Sequence, residues 1–203
     1  MDGTLINSIA AAERVWGDWA ERHGLDVATF LPTMHGKRGI DTIRQLGLPG
    51  VDPAVEAAKI TQAEIDDVSG VVPIPGAIDF VRALPEDRWA IVTSSPLPLA
   101  KARLAAAGFP LPRIFVTAED VSRGKPSPEC YRLGAERVGF PPSQCLVFED
   151  VPAGIIAGES AGADIMVITA THHHPIETTH TRIPGYVGIT VETGADGRLT
   201  LNR

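Results

Sequence analysis

The sequence has little of what marks membrane, secreted or nucleic-acid-binding proteins. Its 203 residues include only two cysteines, Cys130 and Cys145, which excludes a disulfide framework and favours a reducing compartment. No apolar run approaches the ~18 residues of a membrane span, and Asp2 stands where a signal peptide would be basic. The net charge of −7 argues against non-specific binding to nucleic acid or anionic lipid. We therefore expect a cytoplasmic protein that binds neither nucleic acid nor a membrane.

From residue 89 onward, short apolar runs alternate with helical patterns. Each predicted helix is followed by a glycine, the residue that most often ends a helix. The predicted strands cover residues 89–93, 114–116, 145–148 and 164–168. The predicted helices cover residues 99–107, 127–138 and 152–161. This alternation predicts an α/β fold, a Rossmann-like parallel sheet with helices on both faces.

The first 75 residues differ, because they carry helical patterns and no convincing strand. Trp16 and Trp19 fall at helical spacing, and Asp52 followed by Pro53 is a typical helix start. A parallel crossover needs only about a dozen residues, so this longer stretch predicts an inserted helical cap. We expect a core formed by residues 1–9 and 71–203 and a cap formed by residues 10–70, with residues 71–76 as the return linker.

Four polar motifs fall where the predicted sheet would end. Ligands of such sheets bind at the carboxyl ends of the strands. Carboxylates suit Mg²⁺, hydroxyls and a helix N-terminus can donate to phosphate oxygens, and a lysine can neutralise a transferring phosphoryl group. The motifs therefore predict a magnesium-assisted phosphate site. They are Asp2-Gly3-Thr4, Thr93-Ser94, Gly124-Lys125-Pro126 and Glu149-Asp150.

In this order and spacing, the motifs resemble those of the haloacid dehalogenase superfamily of phosphohydrolases. The matching stretches are residues 2–4, 91–94, 124–126 with Pro128, and 147–150 followed by residues 152–154. Residues 119–126 and 148–154 are most similar to small sugar-phosphate phosphatases of the glycerol-phosphate and 2-deoxyglucose-6-phosphate type. The resemblance implies a helical cap over a Rossmann-like core and Mg²⁺-dependent hydrolysis of a small phosphomonoester through an aspartyl-phosphate.

The resemblance also implies a role for each motif residue. Asp2 is expected to be the general acid and base. Its backbone carbonyl, with Glu149 and Asp150, is expected to hold Mg²⁺. The residues expected to bind the phosphoryl oxygens are Thr93, Ser94 and Lys125, of which Thr93 and Lys125 are also expected to be catalytic.

Two histidine-containing segments are weaker candidates. The basic loop with His35, Lys37 and Arg38 lies between glycines in an acidic protein, and we expect it to contact the substrate from the cap. A solvated basic loop is the alternative interpretation. Adjacent histidines on a loop rarely converge on one ion, so we interpret the run from His172 to His174 as surface.

At its start the sequence departs from the family pattern. The family's first motif is Asp-x-Asp-Gly-Thr at the end of a central strand, and Met1 occupies the x position. The nucleophilic aspartate and its strand would precede Met1, between the strands at residues 89–93 and 145–148. We therefore expect a start site placed too far downstream and an inactive 203-residue chain. A genuine loss of the strand and nucleophile is the alternative.

Two rival functions stay open. A phosphosugar mutase uses the same core and cap, but it would require a bisphosphorylated activator. A non-catalytic protein would bind phosphate esters or partners without turnover, and the departure at Met1 is the observation that favours it. For the phosphatase we expect a monomer whose partner is a small phosphorylated metabolite.

Overall fold

The computed structural model describes residues 1–172 and 176–202. Residues 9–66 are almost entirely helical, and a cluster of apolar side chains around Trp16, Trp19 and Phe30 gives these helices their own core. The Trp16 and Trp19 rings meet edge to face with centroids 5.7 Å apart. The helices are α1 (Ile9–Arg22), α2 (Val27–Met34), α3 (Gly39–Leu46) and α4 (Pro53–Asp66).

Local sequence signals explain where these helices begin and end. The Asp26 carboxylate accepts a hydrogen bond from the Thr29 amide (2.8 Å) at the start of α2, and Asp52 caps α4 ahead of Pro53 in the same way. Gly47 ends α3 in the left-handed conformation. The two-stranded ribbon of β1 (Ile6–Asn7) and β2 (Val72–Pro73) closes the base of this helical region. The prediction that the first 75 residues carry no strand was wrong at β1 and β2, because strands of two residues show no alternating pattern.

The rest of the chain confirms the α/β prediction, with parallel strands between helices. β3 pairs with β4, and β5 pairs with β6, which also pairs with β7, all in parallel. The strands are β3 (Ile91–Val92), β4 (Phe115–Val116), β5 (Leu146–Glu149), β6 (Asp164–Ile168) and β7 (Thr181–Ile183). The helices are α5 (Ala77–Ala83), α6 (Leu97–Ala106), α7 (Glu129–Val138) and α8 (Pro152–Ala161), with short 3₁₀ turns at Ala118–Asp120 and Pro142–Gln144.

A groove separates the two sets of parallel strands. Among the described strands, β3 pairs only with β4, and β5 pairs only with β6. Each of β3 and β5 therefore has one edge without a paired strand. The groove between β3 and β5 has a volume of about 860 Å³ and is lined by backbone and apolar side chains from both strands. Met1 and Leu5 lie at the same groove. The facing edges of β3 and β5 therefore present backbone groups that one further strand could pair.

The C-terminal segment packs on the core through Tyr186. Its ring stacks on Phe80 with centroids 4.9 Å apart and also contacts Phe148, and its hydroxyl donates to the Thr4 carbonyl (3.1 Å). A hairpin of β8 (Thr190–Thr193) and β9 (Leu199–Asn202) follows. None of the helices in the described ranges combines the length and the apolar character needed to cross a membrane.

Candidate active site

All nine predicted site residues line one cavity of about 480 Å³. The carboxyl ends of β3 and β5, the turn after Met1 and the loop between α2 and α3 meet around it. Parallel strands deliver their carboxyl ends to the same edge, which is why motifs distant in sequence converge there. The residues are Asp2, His35, Lys37, Arg38, Thr93, Ser94, Lys125, Glu149 and Asp150.

Lys125 and Glu149 form a buried ion pair at the floor of the cavity. Their side chains are 5% and 4% exposed, and the Lys125 ammonium donates to Glu149 Oε1. Tyr131 also donates to Oε1 (2.6 Å), and the Asp150 amide donates to Oε2 (2.8 Å). Burial alone would raise the pKa of Glu149, but Lys125, the Met1 amino group and the hydrogen bond from Tyr131 together outweigh it and lower that pKa to about 2. Both groups are therefore charged, and Glu149 fixes the position of the lysine.

Asp150 lies beside this pair, and fewer donors and cations offset the burial of its carboxylate. Thr4 Oγ1 donates to its Oδ1 (2.7 Å). Burial and the negative charge of Glu149 raise the pKa of Asp150 to about 7. A further cation near Asp150 would offset both effects.

Two motif glycines are required by close approach to these carboxylates. A Cβ at Gly3, which has φ +70°, would lie 1.8 Å from Asp150 Oδ2. A Cβ at Gly154 would lie 2.0 Å from the Glu149 carboxyl carbon. Neither position can carry a side chain unless the acid moves.

Asp2 is held by three donors, none of which the sequence analysis singled out. Its carboxylate accepts hydrogen bonds from Ser8 Oγ (2.6 Å), Ser95 Oγ (3.2 Å) and Arg103 Nη1 (3.0 Å). Burial opposes ionisation, but Arg103 and the hydroxyl donors outweigh it and lower the pKa of Asp2. The sequence gives one indication that Arg103 is buried, because it stands between apolar residues of a predicted helix. It gives no such indication for Ser8 or Ser95.

Thr93 and Ser94 directly follow β3 at the cavity wall. Thr93 is 5% exposed, and its Oγ1 accepts a hydrogen bond from the Ser95 amide (3.1 Å). Ser94 Oγ donates to the Gly36 carbonyl (2.9 Å), which belongs to the loop between α2 and α3. Ser94 thus joins the core to the helical region at the cavity.

Arg38 also joins the helical region to the core. Its guanidinium pairs with Asp41 (2.6 Å) and donates to the carbonyls of Val121 (2.9 Å) and Ser122 (3.1 Å). Its donors are thus engaged by protein groups, which gives Arg38 a task in holding the loop at residues 35–38.

His35 and Lys37 have weaker attachments. His35 Nε2 lies 3.1 Å from Glu13 Oε1, and the Lys37 ammonium lies 3.4 Å from Gln45 Oε1. Both line the cavity, so the structure leaves open their predicted contact with substrate.

The donor set at the cavity floor consists of hard oxygen atoms, which fit Mg²⁺. Both Glu149 oxygens already accept protein hydrogen bonds, which leaves Asp150 as the better available carboxylate. In the described part of the chain, no group of three or more His, Cys, Asp or Glu side chains could hold a metal ion. His173 and His174 of the histidine run lie outside the described residues.

Comparison with known proteins places these motifs in one family. A family profile of haloacid dehalogenase-like hydrolases matches residues 1–162. Hexitol phosphatase A of Escherichia coli (strain K12) is 42% identical over 179 residues, which cover 86% of this chain and 83% of that protein. Glycerol-1-phosphate phosphohydrolase 1 of Saccharomyces cerevisiae is 34% identical over 184 residues, which cover 84% and 73%. The structure of CbbY from Rhodobacter sphaeroides in complex with phosphate is similar in fold, with a TM-score of 0.75, 21% identity, and 93% and 92% coverage.

Proposed function

The chain belongs to the haloacid dehalogenase-like hydrolases, and its relatives are named phosphatases of small phosphomonoesters. We propose that, with a strand that ends in aspartate before Met1, it releases phosphate from a sugar or polyol phosphate through an aspartyl-phosphate with the help of Mg²⁺. One observation carries this proposal. The cavity that collects every predicted site residue has the buried pair of Lys125 and Glu149 and the neighbouring Asp150 at its floor.

In the proposed reaction, the core residues stabilise and position the phosphoryl group. The Lys125 ammonium, fixed by Glu149, neutralises negative charge on the phosphoryl oxygens. Thr93 would supply its hydroxyl to the same oxygens, and Ser94 would do so in exchange for its hydrogen bond to the Gly36 carbonyl. Asp150 and the Asp2 carbonyl would hold Mg²⁺, with Glu149 beside them, and the ion would supply further positive charge to the phosphate when bound.

Asp2 is the proposed proton carrier. The charge of the bound phosphate would raise the lowered pKa of Asp2. The protonated acid would then give its proton to the leaving alkoxide and take one back from the water that hydrolyses the aspartyl-phosphate. The nucleophile of this proposal is an aspartate that directly precedes Met1. Met1 is 7% exposed, lines the same cavity, and lies within electrostatic reach of Lys125, Glu149 and Asp150, which supports that position for the attacking carboxylate.

The substrate class is proposed from the relatives and from the cap. Hexitol phosphatase A and glycerol-1-phosphate phosphohydrolase 1 are named for small polyol phosphates. We assign recognition of the hydroxylated leaving group to the loop with His35, Lys37 and Arg38, within a cap formed by residues 10–70. His35 and Lys37 would contact the leaving group, and Arg38, whose donors are engaged by Asp41, Val121 and Ser122, would hold the loop in place. The working form is proposed to be a cytoplasmic monomer.

The test is phosphate release from a panel of phosphate esters by the chain preceded by a strand that ends in aspartate. The panel contains hexitol, glycerol and hexose phosphates, each measured with Mg²⁺ and with EDTA. We expect Mg²⁺-dependent release, fastest with a sugar or polyol phosphate. Release that is equal in EDTA would contradict the metal assignment. A requirement for a bisphosphorylated activator, with an isomerised sugar phosphate as product, would favour a mutase instead.

A further inference from the structure

Arg103 joins a carboxylate of the core to a carboxylate of the cap helix α4. It lies on α6 and is 4% exposed. Its Nη1 donates to Asp2 Oδ1 (3.0 Å) and its Nη2 donates to Glu64 Oε1 (2.8 Å). Glu64 is itself 6% exposed. The buried Nε has no hydrogen-bond partner among residues 1–172 and 176–202, so these two acids are what hold the guanidinium.

Burial of the Arg103 charge is unfavourable in free energy, more so than packing α6 against its neighbours would require. The buried face of α6 otherwise consists of Leu99, Ala100 and Leu104. Burial of a charged group costs several kcal/mol before its partners compensate, and apolar residues of similar size often stabilise a fold as well as or better than a buried ion pair. A role in orienting a reacting group would explain why a charge is kept there.

We propose that Arg103 is a positioning residue that orients the Asp2 carboxylate and couples its orientation to the seating of α4 on the core. This inference rests on the proposed function, in which Asp2 carries the proton. One guanidinium lies between two carboxylates, while Ser8 and Ser95 bind Asp2 from other directions. A shift of α4 that withdraws Glu64 would leave Asp2 as the remaining ionic partner of Arg103. The cap position is thereby transmitted to the carboxylate beside the substrate.

Hydrogen exchange of the α4 amides tests this coupling in the 203-residue chain itself. Asp2→Asn and Glu64→Gln are compared singly and together, and Asp66→Asn on the exposed side of α4 is the matched control. Either single change leaves Arg103 one anionic partner, whereas the double change leaves a buried unpaired cation. We expect the double variant to open α4 about tenfold more than the product of the single effects. In an Arg103→Met background no such excess should remain. Simple multiplication of the effects in the unchanged background would overturn the coupling.

Turnover gives a readout that a purely structural role would not change. It is measured on the chain preceded by a strand that ends in aspartate. An alkyl phosphate needs a proton on its leaving oxygen, whereas an activated aryl phosphate does not. We expect Arg103→Lys to lower kcat/KM for the alkyl ester about tenfold more than for the aryl ester. Equal losses on both esters would contradict a positioning role. If this extended protein with Arg103 in place hydrolyses neither ester, the proposed function fails. The exchange experiment on the 203-residue chain still decides the coupling.

Discussion

The floor of the cavity and the loop at residues 35–38 are built in different ways. At the floor, Lys125, Glu149 and Asp150 are buried and bind one another or groups beside them. In the loop, His35 and Lys37 each have one polar side chain within hydrogen-bond distance, at 3.1 and 3.4 Å. Both line the cavity and are partly exposed. The floor is therefore an interdependent unit whose chemistry is set by burial. The loop can change residue by residue, which is what variation of substrate specificity requires.

The largest effect is expected where one member of the floor is removed without a substitute charge. Lys125→Met should abolish measurable turnover and should also destabilise the protein by about 3–5 kcal/mol, because Glu149 is left as a buried charge without its cation. Urea unfolding measures the stability, and phosphate release by the chain preceded by a strand that ends in Asp measures the turnover. Stability equal to that of the unchanged protein would mean that Tyr131 and the backbone amides compensate Glu149 without Lys125.

Asp150→Asn should separate activity from stability at the same floor. Turnover should fall by about 10²–10³ because a charged contact to the reaction is lost. Burial and Glu149 disfavour the Asp150 charge, so the metal-free melting temperature should stay the same or rise. Asp164→Asn, at an exposed acid on β6, is the control. A melting temperature that falls by several degrees would show that the Asp150 charge stabilises the metal-free fold.

Sequence reasoning reached the floor because strand ends and glycine-flanked motifs are local features. The bounds of α8 and β6, Pro152–Ala161 and Asp164–Ile168, were predicted as observed. The contacts of Asp2 with Ser95 and Arg103 were missed, because they join residues 93 and 101 positions apart that no periodicity relates.

The elements that were missed lack a strong local signal. α2 contains Pro32 and is apolar on most of its surface, so it shows little helical periodicity. β7, β8 and β9 are short and largely exposed, and tertiary pairing rather than an apolar pattern defines them.

In the loop at residues 35–38, a smaller and substrate-selective effect is expected. Lys37→Ala should raise KM for a sugar or polyol phosphate several-fold, about 1 kcal/mol for a half-exposed charged contact, while an aryl phosphate changes less because the floor is intact. Steady-state kinetics on both esters measure this. Lys59→Ala, at an exposed lysine on α4, serves as the control. Equal changes on the two esters would count against contact between the loop and the leaving group.

The smallest effect concerns a surface pair whose side chains belong neither to the floor nor to the loop at residues 35–38. Arg137 donates to Asp120 (2.6 Å) and, with the Thr117 amide, lowers the pKa of Asp120 to about 2. Because the folded pKa lies below the unfolded one, this contribution is complete above about pH 4 and is lost as the pH falls towards 2. Asp120→Asn should cost about 1 kcal/mol or less at pH 6, and the difference should shrink below pH 4 in urea titrations. A difference that grows on acidification would contradict the sign.

The most direct measurement adds one strand to the groove between β3 and β5. Two extensions of roughly ten residues, about one strand with its lead-in, precede Met1 and end in Asp or in Asn. Both should raise the melting temperature, because both pair the facing strand edges. Only the Asp form should release phosphate in the presence of Mg²⁺. Equal release by the Asn form, or by the 203-residue chain without an extension, would contradict a nucleophile directly before Met1 and with it the proposed aspartyl-phosphate.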